Sequence, residues 1–188
     1  AISKGEDVLT YTEYSEKYAD KKDATKQVVI KGDSFVSSTG KVEKASKYEG
    51  KKGVVKFIDE ESTVTYKVVI PEDAKYTVLV NYIALDGRNN AINMGLTIDG
   101  KAPFDGLQEL EFPRLWQDAG DVRVDGVGNE FSPSQEEVFV YNDHYVQDTL
   151  GLESFPYTFY LTKGVHTLTF TSVAEPIAIA TITVGKPV

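Results

Sequence analysis

From Gln27 onward the apolar residues of this chain recur at every second position, the repeat of a half-buried β-strand. Ser62–Ile70 shows it most clearly, with Val64, Tyr66, Val68 and Ile70 on one face. Pro71-Glu-Asp-Ala74 turns the chain, and Lys75–Ala84 returns with Tyr76, Val78, Val80 and Tyr82 aligned. Ile92–Ile98 follows and ends in Asp99-Gly100, a two-residue hairpin signal. Gln27–Lys31, Gly53–Ile58, Glu137–Tyr141, Tyr157–Leu161, Val165–Thr171 and Ile177–Val184 are the remaining strand candidates, while Pro103 to Gln135 is polar and irregular. Ahead of all these, Tyr11, Tyr14 and Tyr18 recur at offsets of three and four, which predicts a short amphipathic helix over Leu9–Ala19. About eight or nine strands at this spacing predict an all-β, antiparallel jelly-roll β-sandwich with a short N-terminal helix. In that reading residues 1–26 are a helical and extended segment packed on the sandwich, and 27–188 are the sandwich itself.

Composition narrows the function classes. The 188 residues include 41% hydrophobic and 26% charged positions, ordinary for one globular domain, and no apolar run is long enough to span a membrane. Without cysteine there is no disulfide or thiolate metal site, and two distant histidines make zinc a poor fit. The net charge of −9 argues against nucleic acid. That charge is uneven: residues 1–60 carry 12 lysines against 11 acids, and residues 61–188 carry 8 cations against 18 acids. All three arginines, Arg88, Arg114 and Arg123, and the only tryptophan, Trp116, lie within one 36-residue window. Guanidinium and indole suit planar recognition, so this window is the expected ligand site. The chain starts at Ala1, which fits a processed protein whose export signal has been removed.

Val69-Ile-Pro-Glu-Asp-Ala-Lys-Tyr-Thr-Val78, Asn81-Tyr82, Leu96-Thr-Ile-Asp-Gly-Lys101 and Gly164-Val-His-Thr-Leu-Thr-Phe170 resemble carbohydrate-binding module families 6 and 35, over roughly residues 53–184. These are galactose-binding-like jelly rolls of secreted bacterial proteins. Asp99-Gly-Lys-Ala-Pro-Phe104, Phe112-Pro-Arg-Leu-Trp116, Gly128-Asn129, Pro133-Ser-Gln135 and Glu175-Pro176 resemble the N-terminal β-sandwich region of large solute-binding lipoproteins of Gram-positive bacteria. The resemblance implies an extracellular, cell-surface location within a larger anchored protein. It also implies a polysaccharide or oligosaccharide partner. Families 6 and 35 hold a structural calcium between an early glutamate and an aspartate of the last strand. Here Ile177–Val184 carries no carboxylate and the opening is lysine-rich.

Sugar recognition needs an aromatic face for ring C–H groups and Asn, Asp or Arg groups for hydroxyls or a uronate carboxylate. Tyr82, Asp86, Arg88 and Asn89 supply these types at a strand end and in the loop behind it; the alternative is a solvated turn with an incidental Asp86–Arg88 pair. Arg114 and Trp116 project from one segment, either toward ligand or as an ion-paired arginine and a packing anchor. Tyr141, Asn142, Asp143, His144 and Tyr145 form an aromatic and polar loop, or an ordinary turn. Asp118, Asp121, Asp125, Asn129 and Glu130 make an acidic loop able to offer oxygens to calcium, although without EF-hand spacing; a solvated loop is the plainer reading. His166 reads as a satisfied strand residue. No nucleophile elbow, His-Glu-x-x-His or phosphate loop is present, so the leading function is non-catalytic carbohydrate binding. The alternative is a structural or interaction domain of a solute-binding lipoprotein with no ligand of its own. Sequence leaves open whether a sugar site lies on the edge loops or on a concave sheet face.

Overall fold

Two antiparallel sheets face each other across the alternating apolar residues. The computed structural model describes residues 9–88, 90–118, 123–124, 130–131, 135–149 and 155–187, with side chains described for all of these except 117, 118, 123, 124, 130, 131 and 135. In chain order the elements are α1 (Tyr11–Lys17), β1 (Val28–Lys31), β2 (Ser37–Thr39), β3 (Val42–Tyr48), β4 (Lys51–Phe57), β5 (Thr63–Ile70), β6 (Ala74–Ala84), β7 (Ile92–Ile98) and β8 (Leu110–Phe112). They continue with β9 (Leu115–Asp118), β10 (Arg123–Val124), β11 (Glu130–Phe131), β12 (Gln135–Val138), β13 (Asn142–Tyr145), β14 (Phe159–Leu161), β15 (Gly164–Ala174) and β16 (Ile177–Gly185). One sheet runs β13-β6-β16-β4-β3, with β1 added on β16 and β14 on β6; the other runs β2-β5-β15-β7-β8. Two short ribbons, β9–β12 and β10–β11, stand apart from them.

The expected fold class is what the structure shows, an antiparallel sandwich with one short helix among the described residues. Val64, Tyr66, Val68 and Ile70 of β5 face Tyr76, Val78, Val80 and Tyr82 of β6, all buried in one core. Asp99 and Gly100 both take positive φ, 53° and 82°, as a primed hairpin turn requires, and Ile98 and Lys101 exchange backbone hydrogen bonds across it. Several strand assignments differ from the sequence reading: β2 was not expected, β8 to β11 lie in the stretch read as irregular, and the strand expected at Glu137–Tyr141 runs instead over Gln135–Val138. β3 has only partly buried or exposed side chains, so no apolar alternation marks it, and its pairing with β4 creates it. Asn142–Tyr145, expected in a loop, pairs with β6 as an edge strand. Tertiary pairing there overrides the turn preference of Asn-Asp.

The N-terminal segment is fastened at two places. Thr10 caps α1 through a reciprocal capping box with Glu13, and the helix drops Tyr11 and Tyr14 onto Phe104 with ring centroids 4.8 and 4.9 Å away. Tyr14 is buried against the sandwich, and its hydroxyl accepts from the Tyr160 backbone N–H at 2.8 Å. Further on, the Glu72 carboxylate accepts from Lys22 Nζ at 2.8 Å, from both the N–H and the hydroxyl of Thr25, and from the Lys26 N–H. The Lys22 hydrogen bond, followed by those from Thr25, holds the Glu72 carboxyl well down, at about 2 against an ordinary 4.5. The unfolded chain therefore takes up this proton first, so the clasp is intact above pH 4.5 and is lost as pH falls toward 2. Glu72→Gln should remove that acid-side step from a pH titration of thermal stability, read against an unchanged plateau shape above pH 5.

Candidate ligand-binding face

The arginine window builds a structural network. Arg114 follows β8, its side chain 2% exposed, and pairs with Glu137 at 2.6 Å and Glu175 at 2.7 Å. Glu175 sits in the turn between β15 and β16, and its other oxygen accepts from Arg88 Nε at 3.1 Å. Arg88 Nη2 goes on to Glu60 at 2.7 Å. Burial alone would raise the Glu175 carboxyl; the hydrogen bonds from Arg88 and Arg114 outweigh it and hold the group below its ordinary value. The guanidinium forks expected to read a ligand are thus engaged by carboxylates of the chain itself. Arg88 remains 70% exposed and borders a shallow cavity of about 370 Å³ with Asp59, Glu60 and Gly87, but Tyr82 is not part of it.

Other expected site residues scatter. Tyr82 is 1% exposed, its ring against Phe112 and its hydroxyl donating to Pro113 O, so it offers no face to a sugar. Asn142 lies cross-strand from Tyr82 and so shares the inner side of β6. Asp86 is exposed in the loop after β6. Trp116 is 47% exposed on β9, cross-strand from Glu137, beside a small cavity shared with Asn90, Glu111 and Arg114. Asn89, Asp121, Asp125 and Asn129 lie outside the described residues, Asp118 and Glu130 are described in backbone only, and so the calcium-loop expectation falls outside them too. Among the described residues no group of three or more His, Asp or Glu side chains is placed to hold a metal.

What the register does bring together lies on the outer face of the larger sheet. Cross-strand partners share a face, so Tyr145, Leu79, Thr183 and Val29 form one row across β13, β6, β16 and β1. The neighbouring row reads Asp143, Asn81, Thr181 and Lys31. All eight are partly buried or exposed, and the interleaved Val78, Val80, Ile182 and Ile30 point into the core. Four strands at the usual spacing make a platform roughly 14 Å across. One row offers an aromatic ring and aliphatic surface; the next offers carboxylate, amide, hydroxyl and ammonium. The Asn81 amide donates to Asp143 at 2.7 Å, which fixes both side chains. At one end the face is closed: Tyr141 packs on Val54, Ile83, Ala178 and Ala180 and donates to Tyr48 O at 2.6 Å. Burial, followed by Tyr48 and Glu49 nearby, pushes the Tyr141 phenol up to about 12, so it stays protonated and keeps donating. The signal for this face was present in the sequence as the outward half of each alternation, Leu79 and Asn81 against Thr181 and Thr183, but register alone assembles it.

His144 stands behind the platform. It points inward between Asp143 and Tyr145, with its ring 5.5 Å from Phe112, and burial lowers its pKa below the ordinary 6.5 despite a backbone hydrogen bond involving Glu111. Unfolded chains then bind the proton first as pH falls below 6.5, so stability drops on the acid side of that value. Between pH 7.5 and about 5.5 the thermal midpoint should fall in the native chain. His144→Gln should flatten that interval while leaving the lower-pH step from Glu72 in place.

No known family model matches the chain, and no curated protein does. Among solved structures it is similar to a GH26-CBM35 β-(1,4)-mannanase of Podospora anserina, with a TM-score of 0.55 and 14% identity over 86% of this chain and 28% of that one. It is also similar to a cycloisomaltooligosaccharide glucanotransferase of Paenibacillus sp. complexed with cycloisomaltoheptaose, with a TM-score of 0.50 and 18% identity over 84% of this chain and 18% of that one. A family 35 carbohydrate binding module from Clostridium thermocellum matches over 98% of its own length at 12% identity and a TM-score of 0.48. At such identities the likeness is one of fold. The chain spans under a third of the length of the two enzymes.

Proposed function

We propose that this chain is a non-catalytic carbohydrate-binding module and that its site is the open face of β13, β6, β16 and β1. The observation that carries the reading is the pair of adjacent rows. Tyr145 and Leu79 offer apolar surface to the C–H face of a pyranose, while Asp143, Asn81, Thr181 and Lys31 lie one row away, where ring hydroxyls would fall. The chain's fold likeness to part of two proteins that act on carbohydrates supports it. One carboxylate and one ammonium at opposite ends of the polar row favour an uncharged oligosaccharide. Affinity is micromolar to millimolar, since an open platform buries little ligand surface and must order its side chains. Export to the cell surface and membership of a larger anchored protein belong to the same reading. Isothermal titration against a panel of soluble neutral oligosaccharides tests it; no heat from any glycan, with or without calcium, sinks it.

One observation favours the second reading, a structural or interaction domain. The forks of Arg88 and Arg114 are bound to carboxylates of the chain and Tyr82 is buried, so the window richest in recognition residues is spent on the loops' own order. On that reading the sheet face binds no glycan and covers a neighbouring domain.

A further inference from the structure

Arg114 is surrounded by oxygen. Its Nε donates to Asn90 O at 2.7 Å, Nη1 to Leu85 O at 3.1 Å and to Glu137 Oε2 at 2.6 Å, and Nη2 to Glu175 Oε1 at 2.7 Å. These four oxygens come from three separate stretches: the loop after β6, strand β12, and the turn between β15 and β16. Two carboxylates and two peptide carbonyls gathered around one guanidinium are the kinds of oxygen that a hard divalent cation such as calcium takes. The site also holds more acceptor capacity than its resident donor satisfies. Glu137 is 5% exposed, and its second oxygen, Oε1, is buried with no hydrogen-bond partner among the described residues. A buried carboxylate oxygen left unpaired is costly, and a cation of higher charge would engage it. Arg114 alone bridges the two buried carboxylates, while Arg88 serves Glu175 only, from its Nε to the outer oxygen and from its backbone N–H to the oxygen that Arg114 also uses.

We propose that this cage is a cation site which the chain fills from its own sequence. The Arg114 guanidinium stands where a divalent ion would tie the three stretches together, and vacating it leaves a calcium-class site. A guanidinium suits the exchange because its planar fork serves several acceptors at once and is always charged. Calcium suits the reverse exchange because it keeps water in its shell and tolerates a cavity larger than the bare ion. The native loops therefore hold their order without a metal. The inference stands apart from the sugar reading and survives its failure.

The test compares native protein, Arg114→Ala, Arg114→Lys and the double variant Arg114→Ala/Glu137→Ala by thermal unfolding in EDTA and in millimolar calcium. Terbium luminescence sensitised through Trp116, cross-strand from Glu137, reads ion binding directly. The native midpoint is expected to be the same in both buffers. Arg114→Ala melts lower in EDTA, recovers at least half of the loss in calcium, and binds terbium at least about tenfold tighter than native. Arg114→Lys keeps a charge in the cage and gains nothing from calcium, and the double variant loses the rescue. If Arg114→Ala fails to fold in EDTA, refolding in calcium must restore it. A variant that calcium does not restore, a rescue that survives in the double variant, or a native chain stabilised by calcium in a Glu137-dependent way would each overturn the proposal.

Discussion

Glu175→Ala should lower the unfolding free energy by about 3–5 kcal/mol, the usual scale for removing one partner of a buried charge pair. Glu175 is 1% exposed, and its carboxylate binds Arg114 through one oxygen and Arg88 through the other. Its loss strands the Arg114 guanidinium, 2% exposed, with Glu137 as its one remaining carboxylate. The residue also holds a left-handed backbone conformation, φ 70°, whose carbonyl accepts a long hydrogen bond from the Ser172 hydroxyl. Urea unfolding measures the effect, with the denaturant slope expected to stay constant. Because the folded carboxyl is held below its ordinary value, the stability stored here is present at neutral pH and lost as pH falls through the carboxylate range. Arg88→Ala provides the internal contrast. That side chain is 70% exposed, so its removal should cost less than about 1 kcal/mol. Equal losses from the two variants would place the network at the surface in energetic terms and remove its role as the clamp of these loops.

Phe104→Ala should cost a comparable amount, about 3–5 kcal/mol, by a different mechanism. The ring is fully buried and touches Tyr11, Tyr14, Tyr157 and Phe159 at centroid distances from 4.8 to 5.3 Å. A seven-residue helix is too short to persist on its own, so α1 depends on this aromatic seat. The variant should therefore lose amide protection at Tyr14 and Tyr160 well before the strands of the core exchange. Uniform loss of protection across the chain would show instead that α1 and the sandwich open as one unit.

The contrast between these sites explains how much the sequence disclosed. Strands β5 and β15, the middle of β6 and the second half of β16 were legible because each buries one face, which writes the two-residue period into Val64 to Ile70 or Val78 to Tyr82. β3 was not legible, since Glu43, Lys44, Ser46 and Lys47 lie exposed and its formation depends on β4. The ligand loops were read from residue type, which shows that Arg88 and Arg114 have the chemistry of recognition but not that their forks meet Glu60, Glu137 and Glu175, distant in sequence. The proposed face failed to appear for the opposite reason. Leu79, Asn81, Thr181 and Thr183 are unremarkable singly, and only the pairing of β13, β6, β16 and β1 sets them beside Tyr145. Sequence discloses which side of a strand is wet; register decides what the wet sides build.

That face is the proposed glycan site, and titration of one glycan into the native chain and three variants tests it. With the tightest-binding oligosaccharide of the panel, Tyr145→Ala should weaken binding at least about tenfold, as the loss of a central aromatic contact does. Asn81→Ala should weaken it by a similar factor, and Arg88→Ala should leave it within about twofold, since Arg88 belongs to the loop network. Binding that survives both sheet-face variants but falls with Arg88→Ala would contradict the assignment and return the site to the edge loops.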